Sequence, residues 1–165
     1  LRSLVPACNE TALLGLYAPA RQEMFFAACV ESTHTLRYAI ELNTWVPVHT
    51  GASGLAIMAF LPPAEIDALM DRGLPRLTDN SIDDPAVLRR ELEKVRRNGY
   101  AVTRGQRIVG AVGLAVPIFD ITGRVVGDVC LTIPEGRFNA RNQSTLIKLM
   151  KAAAAQVSRS AGWQK

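Results

Sequence analysis

Aromatic side chains are scarce in this sequence, at 6% of its 165 residues. That is poor material for a platform on which nucleic-acid bases stack. The three cysteines, Cys8, Cys29 and Cys130, are odd in number, widely separated and free of any Cys-x-x-Cys, and the only histidines are His34 and His49. A disulfide scaffold and a metal site are thereby excluded, no cofactor is implied, and a reducing cytoplasm is the expected compartment. No stretch approaches the roughly twenty apolar residues that a membrane span requires, and Leu1-Arg2-Ser3 does not begin a signal peptide. An initiator Met is also missing, so the expectation is a piece of a longer protein. What is present is ordinary for one soluble domain: 48% apolar and 21% charged side chains, with 19 Lys and Arg against 15 Asp and Glu. A chain of this length buries roughly 70% of its extended surface. The net charge of +4 falls far short of a nucleic-acid footprint, so DNA binding by this chain alone is not expected.

Three strands are predicted first: Thr11–Tyr17, Glu23–Glu31 and Thr35–Glu41, an antiparallel meander, followed by an irregular Trp45-Val46-Pro47 connection. At Thr50 the character changes. Gly51-Ala52-Ser53-Gly54 feeds into Leu55–Leu61, a short helix so apolar all round that it must be buried, with a first turn small enough for close approach. A second helix runs from Pro63 to Gly73. A third has Asp84 as its N-cap, Pro85 at its first position, Leu88, Leu92 and Val95 on one face, and Gly99 as its stop. Extended structure resumes at Tyr100–Thr103. The strands Leu114–Phe119 and Val125–Ile133 then flank Asp120-Ile121-Thr122-Gly123, a hairpin signal. A last helix spans Asn139 to Ser160; with no acid after Glu135, its Arg141, Lys148, Lys151 and Arg159 form a basic exposed face. This order predicts an α+β domain, a central antiparallel sheet of about six strands with helices packed on it.

Ser53, Cys130, His34 and His49 are the candidates for nucleophilic chemistry, but none sits in a nucleophile-elbow frame. The Gly51–Gly54 turn opens a helix whose free N–H groups favour a phosphate or a carboxylate; equally, its small residues allow close helix–sheet packing. On the strand from Val125 to Ile133, Val129, Leu131 and Ile133 alternate with Asp128, Cys130 and Thr132. One face is aliphatic, and the other presents a carboxylate, a thiol and a hydroxyl. Such a polar face either lines a ligand cavity or meets solvent.

Pro47-x-His49, the Gly51-Ala52-Ser53-Gly54-x-Ala56 turn leading to Ala59-Phe60-Leu61, the Leu92-Glu93-x-Val95-Arg96-x-x-Gly99-Tyr100-Ala101 segment, and Gly110 followed by Ala115-Val116-Pro117-Ile118-Phe119-Asp120 occur in register. Together they resemble the effector-binding domain of bacterial transcription regulators of the isocitrate-lyase-regulator (IclR) type, from about Leu4 to the last helix. The resemblance implies a GAF-like, profilin-like fold, a small-molecule pocket, homodimers or homotetramers, and a winged helix–turn–helix domain ahead of Leu1 through which alone DNA would be bound. Residues 1–165 are then one effector-binding and oligomerisation domain. Carried over position by position, the pocket falls on Ala52 and Ser53, on Thr103 and Arg104, and on Asp128, Cys130 and Thr132, with Leu36 and Trp45 as apolar contributors. Two departures stand out: Leu55 where the family usually has Lys, and Thr103, Gly105 and Gln106 where it often has acids. Losing those acids argues against metal and leaves Arg104 as a counter-charge. The expected function is sensing of a small organic acid; the alternatives are a GAF-like dimerisation module without a working pocket, or a small cysteine or serine hydrolase.

Overall fold

A computed structural model describes residues 1–163. Six strands form one sheet: β1 (Thr11–Ala18), β2 (Glu23–Val30), β3 (Val46–Pro47), β4 (Ala101–Arg104), β5 (Ala111–Phe119) and β6 (Val125–Pro134). Their order across the sheet is β3-β2-β1-β6-β5-β4, and every neighbouring pair is antiparallel. The first and last thirds of the chain therefore meet at its centre, where β1 lies against β6.

Five α-helices complete the domain: α1 (Val5–Cys8), α2 (Gly51–Met58), α3 (Pro63–Asp71), α4 (Pro85–Asn98) and α5 (Ala140–Ser160). All eight residues of α2 are buried, as their apolar and small character requires, and the helix lies against β4, β5, β6 and α4. Its close seating needs Gly54, since a Cβ there would stand 2.5 Å from the carbonyl oxygen of Val48. The Asp84 carboxylate accepts from the N–H groups of Ala86 and Val87 and starts α4, which ends at Gly99. Asn139 caps α5 in the same way, and α5 packs on β5 and β6 from the opposite side of the sheet.

Two cores result. Leu13, Met24, Leu55, Met58, Leu88 and Cys130 belong to the α2 side. Leu114, Val129, Leu131, Ile133, Leu146 and Met150 belong to the α5 side. The alternation along β6 thus separates two covered faces, and the solvent-facing alternative for Asp128, Cys130 and Thr132 is ruled out.

The strand expected over residues 35–41 does not form, and Val46 and Pro47 pair with Met24 and Glu23 instead. Pro47 can do so because β3 is the sheet edge, where its missing N–H costs no ladder bond. Residues 31–45 run as irregular chain held by side chains: Ser32 N–H donates to Thr11 Oγ1, and Arg137 donates to the carbonyl of Leu36. The Asp120–Gly123 hairpin turn forms as expected, with Asp120 Oδ1 accepting from the N–H groups of Thr122 and Arg124.

Candidate functional site

A small cavity of about 40 Å³ lies where the first turn of α2 meets the polar face of β6. Gly51, Ala52 and Ser53 form one wall; Cys130 and Thr132 face them, with Thr103, Ala111 and Gly113 beside. Gln106, Arg107 and Ile108, from the loop between β4 and β5, close one end together with Phe26 and Ile40. That loop is tied to the start of α2. Thr50 Oγ1 donates to the carbonyl of Gln106 (3.1 Å), Gly51 N–H donates to Gln106 Oε1 (3.3 Å), and Arg107 donates to the carbonyl of Thr50 (3.1 Å).

Polar groups here are buried beyond what the protein satisfies. Ser53 Oγ, Arg107 Nε and both carboxylate oxygens of Asp128 are enclosed without a hydrogen-bond partner in the chain. Buried polar atoms are nearly always paired, so four such atoms in one place call for partners from outside the chain. Asp128, at 0% exposure, lies next to Cys130 along the same face of β6. Its carboxyl occupies the space left by Gly15 on β1, where a Cβ would stand 2.0 Å from Asp128 Oδ1. Burial pushes the Asp128 pKa up to about 7; the Ser53 hydroxyl and the Arg107 guanidinium pull it partly back, although that hydroxyl is not in hydrogen-bond geometry. Burial likewise lowers the Arg107 pKa, with Cys130 and Asp128 opposing the shift. Arginine nevertheless remains charged.

Burial and the neighbouring Asp128 raise the Cys130 thiol to about 12. A thiol so shifted supplies almost no thiolate near neutrality, which removes the basis for a cysteine nucleophile. His49 is also no base for Ser53: its Nε2 is 2.9 Å from the carbonyl of Pro75, an ordinary packing bond. What the cavity can do is hold an anion, through the Arg107 guanidinium and the N-terminal end of α2, and hydrogen-bond it from β6.

Of the residues singled out from sequence, Ala52, Ser53, Thr103, Cys130 and Thr132 come together around the cavity, and Asp128 lies behind them. Arg104, Leu36 and Trp45 are not brought there. Arg104 turns outward to pair with Glu135 at 3.2 Å, because residues alternate sides along β4 and Thr103 takes the inner one. Leu36 is 68% exposed, and Trp45 packs edge-on against Phe25 with Arg21 over its ring. Sequence reasoning missed Arg107, Gln106 and Phe26. Arg107 lies beyond the end of β4, in a loop of bends and turns that carries no strand periodicity, so its place at the cavity has no signal in the residue pattern. Among the described residues no group of three His, Cys, Asp or Glu stands close enough to hold a metal, and no helix is long and apolar enough to cross a membrane.

The family profile described as the bacterial transcriptional regulator IclR C-terminal domain matches residues 1–159. The chain belongs to the IclR family. The HTH-type transcriptional regulator BhcR of Paracoccus denitrificans is 28% identical to it over 159 residues, which are 96% of this chain and 56% of that protein. The Thermotoga maritima IclR crystal structure superposes with a TM-score of 0.93 at 30% identity, covering 99% of this chain and 66% of that one. An IclR homolog of Microbacterium hydrocarbonoxydans, solved as a complex with 4-hydroxybenzoate, shares the fold at a TM-score of 0.85 and 22% identity, with 97% of this chain and 64% of that one covered. The chain spans about half the length of the curated relatives it matches. Those IclR relatives are named as transcriptional regulators, not enzymes, and the match runs through their effector-binding region.

Proposed function

We propose that this IclR domain senses a small organic acid in the cavity between α2 and β6. The acid biases the arrangement of a homodimer or homotetramer and, through it, of attached DNA-binding domains in the cytoplasm. The observation that carries this reading is the set of buried, unpartnered groups, Ser53, Arg107 and Asp128, gathered at one helix N-terminus. Arg107 and the first turn of α2 take the carboxylate; Thr103, Cys130 and Thr132 shape the opposite wall. At about 40 Å³ the space is small and suits a short acid. A ring such as that of the 4-hydroxybenzoate bound by the Microbacterium homolog requires the Gln106–Ile108 loop to yield. The ligand acts on the attached domains only by binding one arrangement more tightly than the other.

Titration calorimetry with short keto, hydroxy and aromatic acids tests this. At least one acid is expected to bind, and Thr132→Met, which fills the cavity, is expected to weaken it about tenfold or more with the fold retained in thermal melts. Failure of every acid to bind, or unchanged affinity in Thr132→Met, overturns the reading. The same small volume favours one competing reading, since sites for small molecules commonly enclose about 300–1,000 Å³: a dimerisation module whose pocket no longer works. Self-association in sedimentation with no acid-dependent rise in melting temperature would establish that alternative.

A further inference from the structure

A second pocket lies at the far end of α2 from the cavity. It is a groove of about 480 Å³ between the end of α4, strand β5 and the second half of α5, and it shares no lining residue with the cavity. Gly51, Ala52 and Ser53 line the cavity from the start of α2, whereas Phe60, just past its end, lines the groove. The eight buried residues of the helix put about 12 Å between the two. We propose that the groove is a second binding site, which takes an aromatic carboxylate: the ring lies against Phe119 and Trp163, and Arg96, Arg97 and Lys151 hold the charge. The proposal stands apart from acid sensing in the cavity.

Three full positive charges converge here. Arg96 Nε donates to the Ala59 carbonyl (2.7 Å), and Lys151 Nζ donates to the Asn98 carbonyl (2.7 Å) and lies 5.3 Å from the centre of the Tyr100 ring. These partners are all neutral. Among the described residues none of the three cations joins a salt bridge, and no acidic side chain lines the groove. The C-terminal end of α4 supplies only about half a negative charge, so helix capping accounts for one cation and leaves a surplus fit for an anion. The aromatic part is equally defined. Phe60 meets Phe119 edge-on with ring centroids 5.3 Å apart, and Trp163 meets Phe119 at 5.4 Å with 32° between the planes. All three rings are only partly buried, which leaves ring surface for a ligand to cover. The groove also has the roughly 300–1,000 Å³ common to small-molecule sites, which the cavity does not reach. Inorganic phosphate would answer the cations and leave the rings bare, and a neutral ring would do the reverse. An aromatic carboxylate uses both.

The test is titration calorimetry of the 165-residue chain with 2-naphthoate, beside 2-naphthalenemethanol, which lacks the charge, and acetate and inorganic phosphate, which lack the ring. 2-Naphthoate is expected to bind about tenfold or more tightly than each of the three, with an affinity that falls as NaCl is raised. Arg97→Gln and Trp163→Ala are each expected to weaken it about fivefold or more, while Thr132→Met, which fills the cavity beside α2, leaves it unchanged. Failure of 2-naphthoate to bind overturns the proposal, and equally tight binding of phosphate reduces the groove to an anion patch and overturns it too. Binding lost in Thr132→Met but kept in Arg97→Gln and Trp163→Ala places the ligand in the cavity instead. If no 2-naphthoate binds and Trp163→Ala abolishes self-association in sedimentation, the groove is a contact between copies of the chain and not a ligand site.

Discussion

Strand β6 carries two chemistries back to back. On the α5 side, Val129, Leu131 and Ile133 meet Leu146 and Met150 in a closed aliphatic layer. On the α2 side, Asp128, Cys130 and Thr132 meet small residues and a cavity, with polar atoms that nothing in the chain satisfies. The same backbone serves both, because side chains alternate between the faces of a strand. Along β6 itself the aliphatic side chains face α5 and the unsatisfied polar ones face α2, although the α2 side of the sheet carries a hydrophobic core of its own.

The largest effect is expected on the aliphatic side. Leu131→Ala removes a side chain with no exposed surface and is expected to cost about 2–5 kcal/mol in urea unfolding, with acid affinity in the folded fraction unchanged. A large loss of affinity would show that the two faces are coupled. Next comes Asp128 on the polar side. Its pKa is raised to about 7 in the folded state against about 3.9 in the unfolded chain, so the folded form holds a proton that the unfolded form has released. Its contribution to stability therefore falls as pH rises from about 4 to about 7, and the loss persists above that. Asp128→Asn is expected to melt higher than wild type at pH 8.5, with the gap closing toward pH 5; parallel melting curves across that range would refute the assignment. The smallest effect is expected outside both faces. The Arg104–Glu135 pair is about half exposed, and Arg104→Ala is expected to change stability by about 0.5 kcal/mol or less and leave acid binding intact, where Arg107→Ala abolishes it. Equal loss of binding in the two variants would shift the cationic pole to the surface.

Much of this organisation can be read from residue order alone. Asp84, Pro85 and Gly99 delimit α4, and Asp120 and Gly123 set the central hairpin, because caps and turns are local chemistry. The division of β6 is legible for the same reason, as a period of two. The segment from Thr35 to Glu41 misleads because its alternation is genuine but its partner is missing: strand pairing is settled by long-range competition, and β2 takes Val46 and Pro47 instead. Arg107 escapes notice because its role depends on a loop folding back onto Thr50 from the other half of the chain. Leu36 and Trp45 are apolar and near the right place in sequence, yet burial is decided by the path of irregular chain between residues 31 and 45, which has no periodicity to read.

The contact between Gly15 and Asp128 limits the order in which this site can be altered. No residue larger than glycine fits on β1 at that point while the carboxyl remains, since even a methyl would lie 2.0 Å from it. Remaking the pocket with an apolar floor therefore has to begin at position 128; a change begun at position 15 passes through a clash. The reverse route, installing an acid in such a floor, first requires emptying position 15. Two positions far apart in the chain thus behave as a single unit of change.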